Sequence, residues 1–167
     1  DARYGLTKIK KIISASNKYA LKKIKIIYKE IIKPKLYIAS SIQVAESAKL
    51  IENIQRDINI ALVNELSVIL RKLNIDTTEV LEAASTKWNF HKYFPGLVGG
   101  HCIGVDPYYL SYLSKKLKYK PKVLLAGREM NENMSSHITG RIKVHIKKYF
   151  RKKQIKILIL GFTFKEN

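Results

Sequence analysis

The stretch that decides the fold is residues 40–73, SSIQVAESAKLIENIQRDINIALVNELSVILRKL. Ser40 and Gln43 match a helix-capping box at its start, and Asn74, just beyond it, suits a helix end. Apolar residues recur along it at helical spacing, at Ile51, Ile54, Ile58, Leu62 and Ile69. We therefore predict one long helix from Ser40 to Leu73, about 45 Å long at ~1.5 Å per residue.

The same helix carries a second stripe, which is polar and consists of Lys49, Asn53, Asp57 and Asn64. Residues three, four or seven apart share one face of a helix. Because most polar stripes of this kind are exposed to water, solvation is the expected fate of this one. A helix this long, with apolar residues on more than one side, also needs partners, and a second subunit would supply one.

Shorter elements flank this helix. Upstream we predict a strand over 8–14, a helix capped by Ser16 or Asn17 and ending at Ile32, and extended chain over 36–39. Downstream we predict four elements: a helix from Asp76 to Ser85, a helix capped by Asp106 and ending near Lys118, a helix from Pro121 to Tyr149, and a strand over Ile155–Leu160.

The loop Pro95–Leu110 contains the chain's one cysteine, Cys102, among four glycines. Glycines let the backbone turn sharply and approach a ligand closely. A thiol in such a loop is suited to nucleophilic attack, which needs access and an electropositive setting. The alternative is a structural cysteine buried in a tight turn, since free cysteine is among the most buried residue types.

Composition narrows the class of protein. Lys and Arg number 32 against 13 Asp and Glu, a formal net charge of +19, which favours anionic partners. The basic residues are spread along the chain without a nucleic-acid-binding motif, so we expect no nucleic-acid partner.

One cysteine excludes an intrachain disulfide and fits a reducing compartment, and no run of ~18 apolar residues predicts a membrane span. We therefore expect a cytoplasmic protein with no membrane contact and no metal site.

Three segments, Ala39–Glu65, Thr86–Phe90 with Pro95–Leu110, and Gly161–Asn167, resemble the UDP-glucose/GDP-mannose dehydrogenase family. Residues 99–109, Gly-Gly-His-Cys-Ile-Gly-Val-Asp-Pro-Tyr-Tyr, are most similar to the branch that oxidises UDP-N-acetyl-D-glucosamine or galactosamine at C6, as in Vi-type polysaccharide biosynthesis.

The resemblance implies a mainly α fold. Its centre would be a helical dimerisation domain of the 6-phosphogluconate-dehydrogenase-like type, flanked at both ends by partial α/β Rossmann-like pieces. The implied boundaries are 1–39 for the end of the NAD-binding domain, 40–150 for the central domain and 151–167 for the first strand of a UDP-binding domain.

The resemblance also implies a mechanism. In this family the C6 alcohol loses a hydride to NAD, a cysteine attacks the aldehyde, a second NAD takes a hydride, and water hydrolyses the thioester. By position Cys102 matches the nucleophile, and Lys49 and Asn53 match the pair that orients water and stabilises negative oxygen. Asp106 matches the residue that assists proton transfer from the water, and a helix beginning there would help to keep a thiolate ionised.

Further matches concern the substrate, which would be a UDP-N-acetylhexosamine. They are Lys165, Gly99, Gly100, His101 and Phe94. Phe94 stands where close relatives carry a basic residue, and nearby Lys92 could replace that contact. The glycine-rich turn that binds NAD is not among these residues, so the chain alone is expected to be inactive. Two alternatives stay open: a UDP-N-acetylmannosamine dehydrogenase, and a catalytically dead dimerisation module of the same family.

Overall fold

The computed structural model describes residues 5–100, 102–150 and 154–161, and these are mainly helical, which confirms the predicted fold class. In chain order the elements are β1 (Ile12–Ile13), α1 (Lys18–Ile31), β2 (Tyr37–Ile38), α2 (Ile42–Lys72), α3 (Thr77–Ala84), α4 (Asp106–Lys116) and α5 (Lys122–Tyr149). The chain divides into two compact units, with the boundary inside α2 between Glu52 and Asn53.

The first unit contains a β–α–β arrangement. Its strands β1 and β2 are parallel, with Ile12 opposite Tyr37, and α1 connects them. A parallel pair cannot be joined by a tight hairpin, so a helical crossover is the connection that this pairing requires. Of the two predicted caps Asn17 is the one used: its side-chain oxygen accepts a hydrogen bond of 2.8 Å from the Ala20 N–H. Both strands are shorter than the sequence predicts.

The long helix α2 begins at Ile42, two residues later than predicted. The Ser41 hydroxyl oxygen accepts a hydrogen bond of 3.2 Å from the Val44 N–H. A capping serine satisfies the free N–H of the third helical residue, and Val44 is that residue in the helix as formed. The predicted capping box of Ser40 and Gln43 is therefore wrong by one position, and Ser41 is the cap.

The turn after α2 follows the prediction closely. Asn74 has φ 58°, and the Ile75 N–H donates to the Leu70 carbonyl at 2.9 Å, the pattern of a left-handed helix stop. Asp76 then caps α3, its carboxylate accepting a hydrogen bond of 2.9 Å from the Glu79 N–H. Local side-chain chemistry thus explains the end of one helix and the start of the next.

In the second unit, α5 lies close against α2 at Gly127. A Cβ atom added at Gly127 would lie 2.5 Å from the Ile58 Cδ1 and 3.6 Å from the Ala61 Cβ. A side chain at this position would require the end of the Ile58 side chain to move. The buried apolar residues of this unit are small in number and moderate in size: Ile54, Ala61, Val63, Leu81 and Met134. Polar side chains occupy much of the remaining interior.

The apolar stripe predicted on α2 is only partly buried in this chain. Ile54 is buried, whereas Leu62 is 52% exposed and Ile69 is 46% exposed. Together with two neighbours at helical spacing they form an exposed apolar row, which we call the outer row: Leu62, Leu66, Ile69 and Leu73. The second unit thus turns a polar face of α2 inward and leaves apolar residues of the same helix uncovered.

The predicted strand Ile155–Leu160 is not formed. Among the described residues no strand pairs with this segment, and Leu158 and Leu160 are 81% and 82% exposed. An apolar segment needs a neighbouring strand to satisfy its backbone groups before it can join a sheet. Across the described ranges, no helix combines the length and the apolar character needed to cross a membrane.

Candidate active site

The polar stripe of α2 is buried from Asn53 onward, so the predicted solvation was wrong for Asn53, Asp57 and Asn64. Asn53 is 3% exposed, and Asp57 and Asn64 are 0% exposed. Polar groups are buried at low cost only when they are hydrogen-bonded, and each of these three side chains has a partner outside α2. Lys49 differs: it belongs to the first unit, its side chain is 60% exposed, and its Nζ lies 3.2 Å from Glu52.

Asn64 holds the beginning of the glycine-rich loop. Its amide nitrogen donates to the Gly96 carbonyl at 3.0 Å, and its amide oxygen accepts from the Gly96 N–H at 2.7 Å. The same nitrogen donates to the Asn131 Oδ1 at 2.9 Å. An asparagine amide can pair with both backbone groups of one residue, so Gly96 is anchored to the middle of α2.

Cys102 lies in the turn that leads into α4. The Cys102 carbonyl accepts hydrogen bonds from the Val105 N–H at 3.1 Å and the Asp106 N–H at 2.9 Å. The thiol is free and exposed. This exposure favours the nucleophile over the structural alternative, because attack requires access to the sulfur.

Asp106 is joined to α2 by a side-chain hydrogen bond. The Asn53 Nδ2 donates to the Asp106 Oδ2 at 2.5 Å. Asp106 is the first residue of α4 rather than its cap; the cap position is Val105, which makes no side-chain bond. The predicted capping role is therefore wrong, because the carboxylate is turned toward Asn53 instead of its own helix. The exposed thiol of Cys102 thus lies four residues before the Asp106 carboxylate, in the same hydrogen-bonded turn. That carboxylate accepts a hydrogen bond from the buried amide of Asn53.

A buried ion pair lies between α2 and α5. Arg128 Nη1 is 2.8 Å from Asp57 Oδ1, and Nη2 is 3.2 Å from Glu132 Oε1. The Tyr108 hydroxyl donates to the same Glu132 oxygen, and the Tyr108 ring centroid is 5.7 Å from the Arg128 Cζ. Asn131 donates to the Asp57 carbonyl at 2.9 Å and to its carboxylate at 2.8 Å. We refer to Asp57, Tyr108, Arg128 and Glu132 as the arginine cluster.

The arginine cluster shifts the pKa values of its members. The Tyr108 hydroxyl and the Arg128 guanidinium donate to the Glu132 carboxylate, and these bonds lower its pKa. The bond to Glu132 raises the pKa of Tyr108, with burial adding to the shift. Burial alone would lower the pKa of Arg128, but Asp57, Tyr108 and Glu132 outweigh it, so the net shift is upward and the guanidinium stays charged.

Comparison with known proteins identifies the fold family. Residues 43–133, more than half of the chain, match the profile of the UDP-glucose/GDP-mannose dehydrogenase family, central domain. The chain belongs to this family.

Relatives in the UDP-glucose/GDP-mannose dehydrogenase family are substantially longer than this chain. The UDP-N-acetyl-D-glucosamine 6-dehydrogenase of Salmonella typhi is 54% identical over 168 residues, which cover 100% of this chain and 40% of that protein. The protein of the same name from Pseudomonas aeruginosa is 46% identical with the same coverage. The UDP-N-acetyl-mannosamine dehydrogenase Cap5O of Staphylococcus aureus superposes with a TM-score of 0.78 at 32% identity, covering 95% of this chain and 35% of that one. The chain therefore spans about two fifths of the length of the curated relatives it matches.

Three of the residues predicted from the resemblance to contact substrate, Gly99, Gly100 and Phe94, lie in or just before the glycine-rich loop. Gly99 and Gly100 are exposed, and Gly100 has φ 93°, a conformation that side-chain-bearing residues rarely adopt. Phe94 is 60% exposed, and the Lys92 Nζ lies 5.1 Å from the centroid of its ring. A cation is thus held beside the ring of Phe94. His101 and Lys165 lie outside the described residues.

NAD is the cofactor that the family resemblance implies, and the described residues do not fit its main site. The connection from β1 to α1, residues 14–17, is Ser-Ala-Ser-Asn and contains no glycine. The pyrophosphate of a dinucleotide needs a glycine-rich turn between strand and helix. Nor do the described residues bring three or more His, Cys, Asp or Glu side chains close enough to hold a metal ion.

Four residues of the site escape prediction from the sequence, namely Tyr108, Arg128, Asn131 and Glu132. The available signal was the polar stripe of α2, since Asp57 and Asn64 need partners if that stripe is buried. Arg128 and Glu132 are also four residues apart, the spacing of an ion pair on one helix face. Neither signal indicates that α5 packs on α2.

Proposed function

We propose that this chain is the central part of an NAD-dependent UDP-N-acetylhexosamine 6-dehydrogenase, which converts the C6 alcohol of the sugar to a carboxylate during surface polysaccharide biosynthesis. The observation that carries the proposal is the exposed Cys102 one turn of chain from Asp106, which is bonded to Asn53. The name of the 54% identical Salmonella protein supports the substrate class.

Cys102 is the proposed nucleophile. Its sulfur adds to the C6 aldehyde, forming a carbon–sulfur bond while the aldehyde oxygen takes up a proton, and the product is a thiohemiacetal. Loss of a hydride from this carbon, together with the proton of its hydroxyl group, gives a thioester. Sulfur is suited to both stages because a thiolate is strongly nucleophilic and a thioester remains open to hydrolysis.

Asp106, Asn53 and Lys49 are proposed to serve the hydrolysis. Asp106 accepts a proton from water as the water oxygen bonds to the thioester carbon, and the carbon–sulfur bond then breaks to release the Cys102 thiolate. The Asn53 amide and the Lys49 ammonium are donors for the negative oxygen that develops in between. The hydrogen bond from Asn53 to Asp106 supports the pairing of these two residues, whereas the role of Lys49 rests on family resemblance alone.

The oxidation steps need NAD, which takes up the hydrides and whose main site we assign to a domain beyond this chain. The proposed organisation is the end of that domain at 1–39, the central domain at 40–150 and the start of a UDP-binding domain at 151–167. The 167-residue chain alone would then reduce no NAD. Gly99, Gly100, His101, Phe94 and Lys165 are the proposed substrate contacts.

Two features of the whole protein belong to the same proposal. The outer row of α2 supports a homodimer, since exposed Leu and Ile side chains at helical spacing form the kind of surface that a second copy covers. A reducing compartment, which we propose to be the cytoplasm, would keep the thiol of Cys102 available for attack.

The deciding experiment uses the full-length protein with UDP-N-acetylglucosamine, UDP-N-acetylgalactosamine and UDP-N-acetylmannosamine. The unsubstituted protein should reduce two NAD for each uronic acid formed, fastest with a glucosamine or galactosamine substrate. Cys102→Ser should form no uronic acid, because an oxygen ester forms and breaks poorly here, and exposed Ser135→Ala is the matched control. Uronic acid from the Cys102→Ser protein at the control rate would contradict the role of the thiol. An unsubstituted protein that oxidises none of the three would instead support the catalytically dead module, and a preference for the mannosamine substrate would support the other alternative.

A further inference from the structure

The guanidinium of Arg128 is buried directly beneath the turn that carries Cys102. Its side chain is 9% exposed, and a Cβ atom added at Gly104 would lie 3.8 Å from Nη1 and 3.9 Å from Nη2. These are ordinary packing distances for an added Cβ, so the Gly104 turn lies next to the guanidinium, with room for about one methyl group between them. Gly104 is two residues after Cys102 and two before Asp106.

Arg128 is itself held from several sides. Asp57 lies 2.8 Å from Nη1, Glu132 lies 3.2 Å from Nη2, and the ring of Tyr108 covers the group at 5.7 Å. Asp57 is one helical turn after Asn53 on α2. A closed path therefore runs from Asn53 along α2 to Asp57, across Arg128 to Tyr108 on α4, and back through Asp106 to Asn53.

We propose that Arg128, anchored by Asp57, is a positioning residue that holds Asp106 against Asn53 for hydrolysis of the Cys102 thioester. The inference rests on the proposed function and adds residues that the mechanism itself does not use. A planar guanidinium with two separate donors fixes orientation in a way that a point charge does not. The ring of Tyr108, two residues after Asp106, faces this guanidinium, so the start of α4 lies beside a flat group whose direction is set by two carboxylates.

Stability alone is a weak reason for this arrangement. Replacing a buried ion pair with well-packed apolar residues is often neutral or stabilising. In the described part of the chain, Asp57 Oδ2 and Arg128 Nε are buried without a hydrogen-bond partner, which adds to the cost of the cluster. A costly, well-oriented pair beneath a proposed catalytic turn is more simply explained by the orientation that it provides.

The test separates position from folding by a paired substitution in the full-length protein. Arg128→Gln alone leaves the fully buried Asp57 without a charge partner and is expected to destabilise the protein. Asp57→Asn with Arg128→Gln removes both charges and retains amide donors and acceptors, so the double variant should fold. Arg141→Gln, an exposed arginine on the same helix, is the matched control.

The main readout is the fraction of protein carrying an acyl group on Cys102 during turnover, measured by intact mass after an acid quench. The double variant should accumulate this thioester and show kcat lowered by roughly tenfold to a hundredfold with KM changed less than about threefold, since small misplacements of reacting groups cost rates of that order. Damage to folding alone would lower the active fraction without accumulating the thioester. A folded double variant with unchanged kcat and no thioester accumulation would overturn the inference.

Failure of the proposed function gives a different result. In that case the unsubstituted protein would form neither NADH nor an acyl group on Cys102. Thioester on the unsubstituted protein, trapped with hydroxylamine, therefore establishes the background reaction before the Arg128 variants are compared. With that reaction present, the double variant and Arg141→Gln decide the positioning role by themselves.

Discussion

Among single residues, Glu132 is the member of the arginine cluster whose carboxylate is half exposed to solvent. Its side chain is 52% exposed, yet it accepts hydrogen bonds from both Tyr108 and Arg128, and these lower its pKa below the ordinary value of 4.5. A group whose pKa is lowered by folding stabilises the folded state above its unfolded pKa and loses that effect as pH falls through its folded pKa. Glu132 therefore contributes to stability at neutral pH and ceases to do so in acid.

This gives a prediction for Glu132→Gln. The variant should be less stable than the unsubstituted protein near neutral pH, and the difference should shrink as pH falls below about 4.5. Denaturant unfolding of the full-length protein across this range measures it. Glu129→Gln, an exposed carboxylate on the same helix, is the control and should show a smaller difference at neutral pH. A stability gap for Glu132→Gln that stays constant down to strongly acidic pH would contradict the assignment.

Among the elements, α5 carries a glycine at its contact with α2. Gly127 and Gly140 both lie within this helix, but a Cβ at Gly127 would meet Ile58 at 2.5 Å, whereas a Cβ at Gly140 would meet nothing within 4 Å. Alanine in place of an open helical glycine raises the free energy of unfolding by about 1 kcal/mol. Overpacking at a helix contact lowers it by about 1–3 kcal/mol. The two glycines should therefore respond in opposite directions to the same substitution.

We expect Gly140→Ala to raise the free energy of unfolding by about 0.5–1 kcal/mol, from the helix propensity difference. Gly127→Ala should lower it, because the Ile58 side chain or the helices must shift. Denaturant unfolding of the two variants, analysed with a common slope, measures the difference. Equal stabilisation by both substitutions would show that Ile58 moves aside freely and that Gly127 is not needed for the contact between α5 and α2.

At the scale of the whole molecule, the second unit has an unusual distribution of polarity. The side of α2 that carries Asn53, Asp57 and Asn64 is buried, while the outer row is exposed. A single apolar helix face of this kind is normally covered in the assembled protein. The outer row is thus the surface on which the proposed dimer depends.

Leu62→Asp in the full-length protein should convert the dimer to monomer or aggregate, because a carboxylate buried between two subunits without a partner is strongly unfavourable. Leu62 is a better probe than Ile58, which packs toward Gly127 inside the chain. Val123→Asp, at an exposed apolar position on α5, is the control and should remain dimeric. Light scattering at micromolar concentration measures the mass. A well-folded monomer from the unsubstituted protein would contradict the proposed assembly.

The sequence by itself determined the helices whose ends depend on neighbouring residues. Asn17 and Asp76 cap α1 and α3 through bonds to the backbone three residues ahead, and Asn74 ends α2. Such interactions lie within one helical turn and so can be predicted from local spacing. The glycine-rich loop with Cys102 was also evident from the sequence, as was the resemblance that the family match confirms.

Only the tertiary structure decided which face of α2 is buried and which side chain is bonded to Asp106. The bond from Asn53 to Asp106 joins residues 53 positions apart, and the bond from Arg128 to Asp57 joins residues 71 apart. Periodicity places Asn53 and Asp57 on one face but does not indicate whether water or another helix meets it. This face of α2 is buried because α5 approaches it closely at Gly127. The approach places Arg128 against Asp57, and their ion pair offsets part of the cost of burying the Asp57 carboxylate.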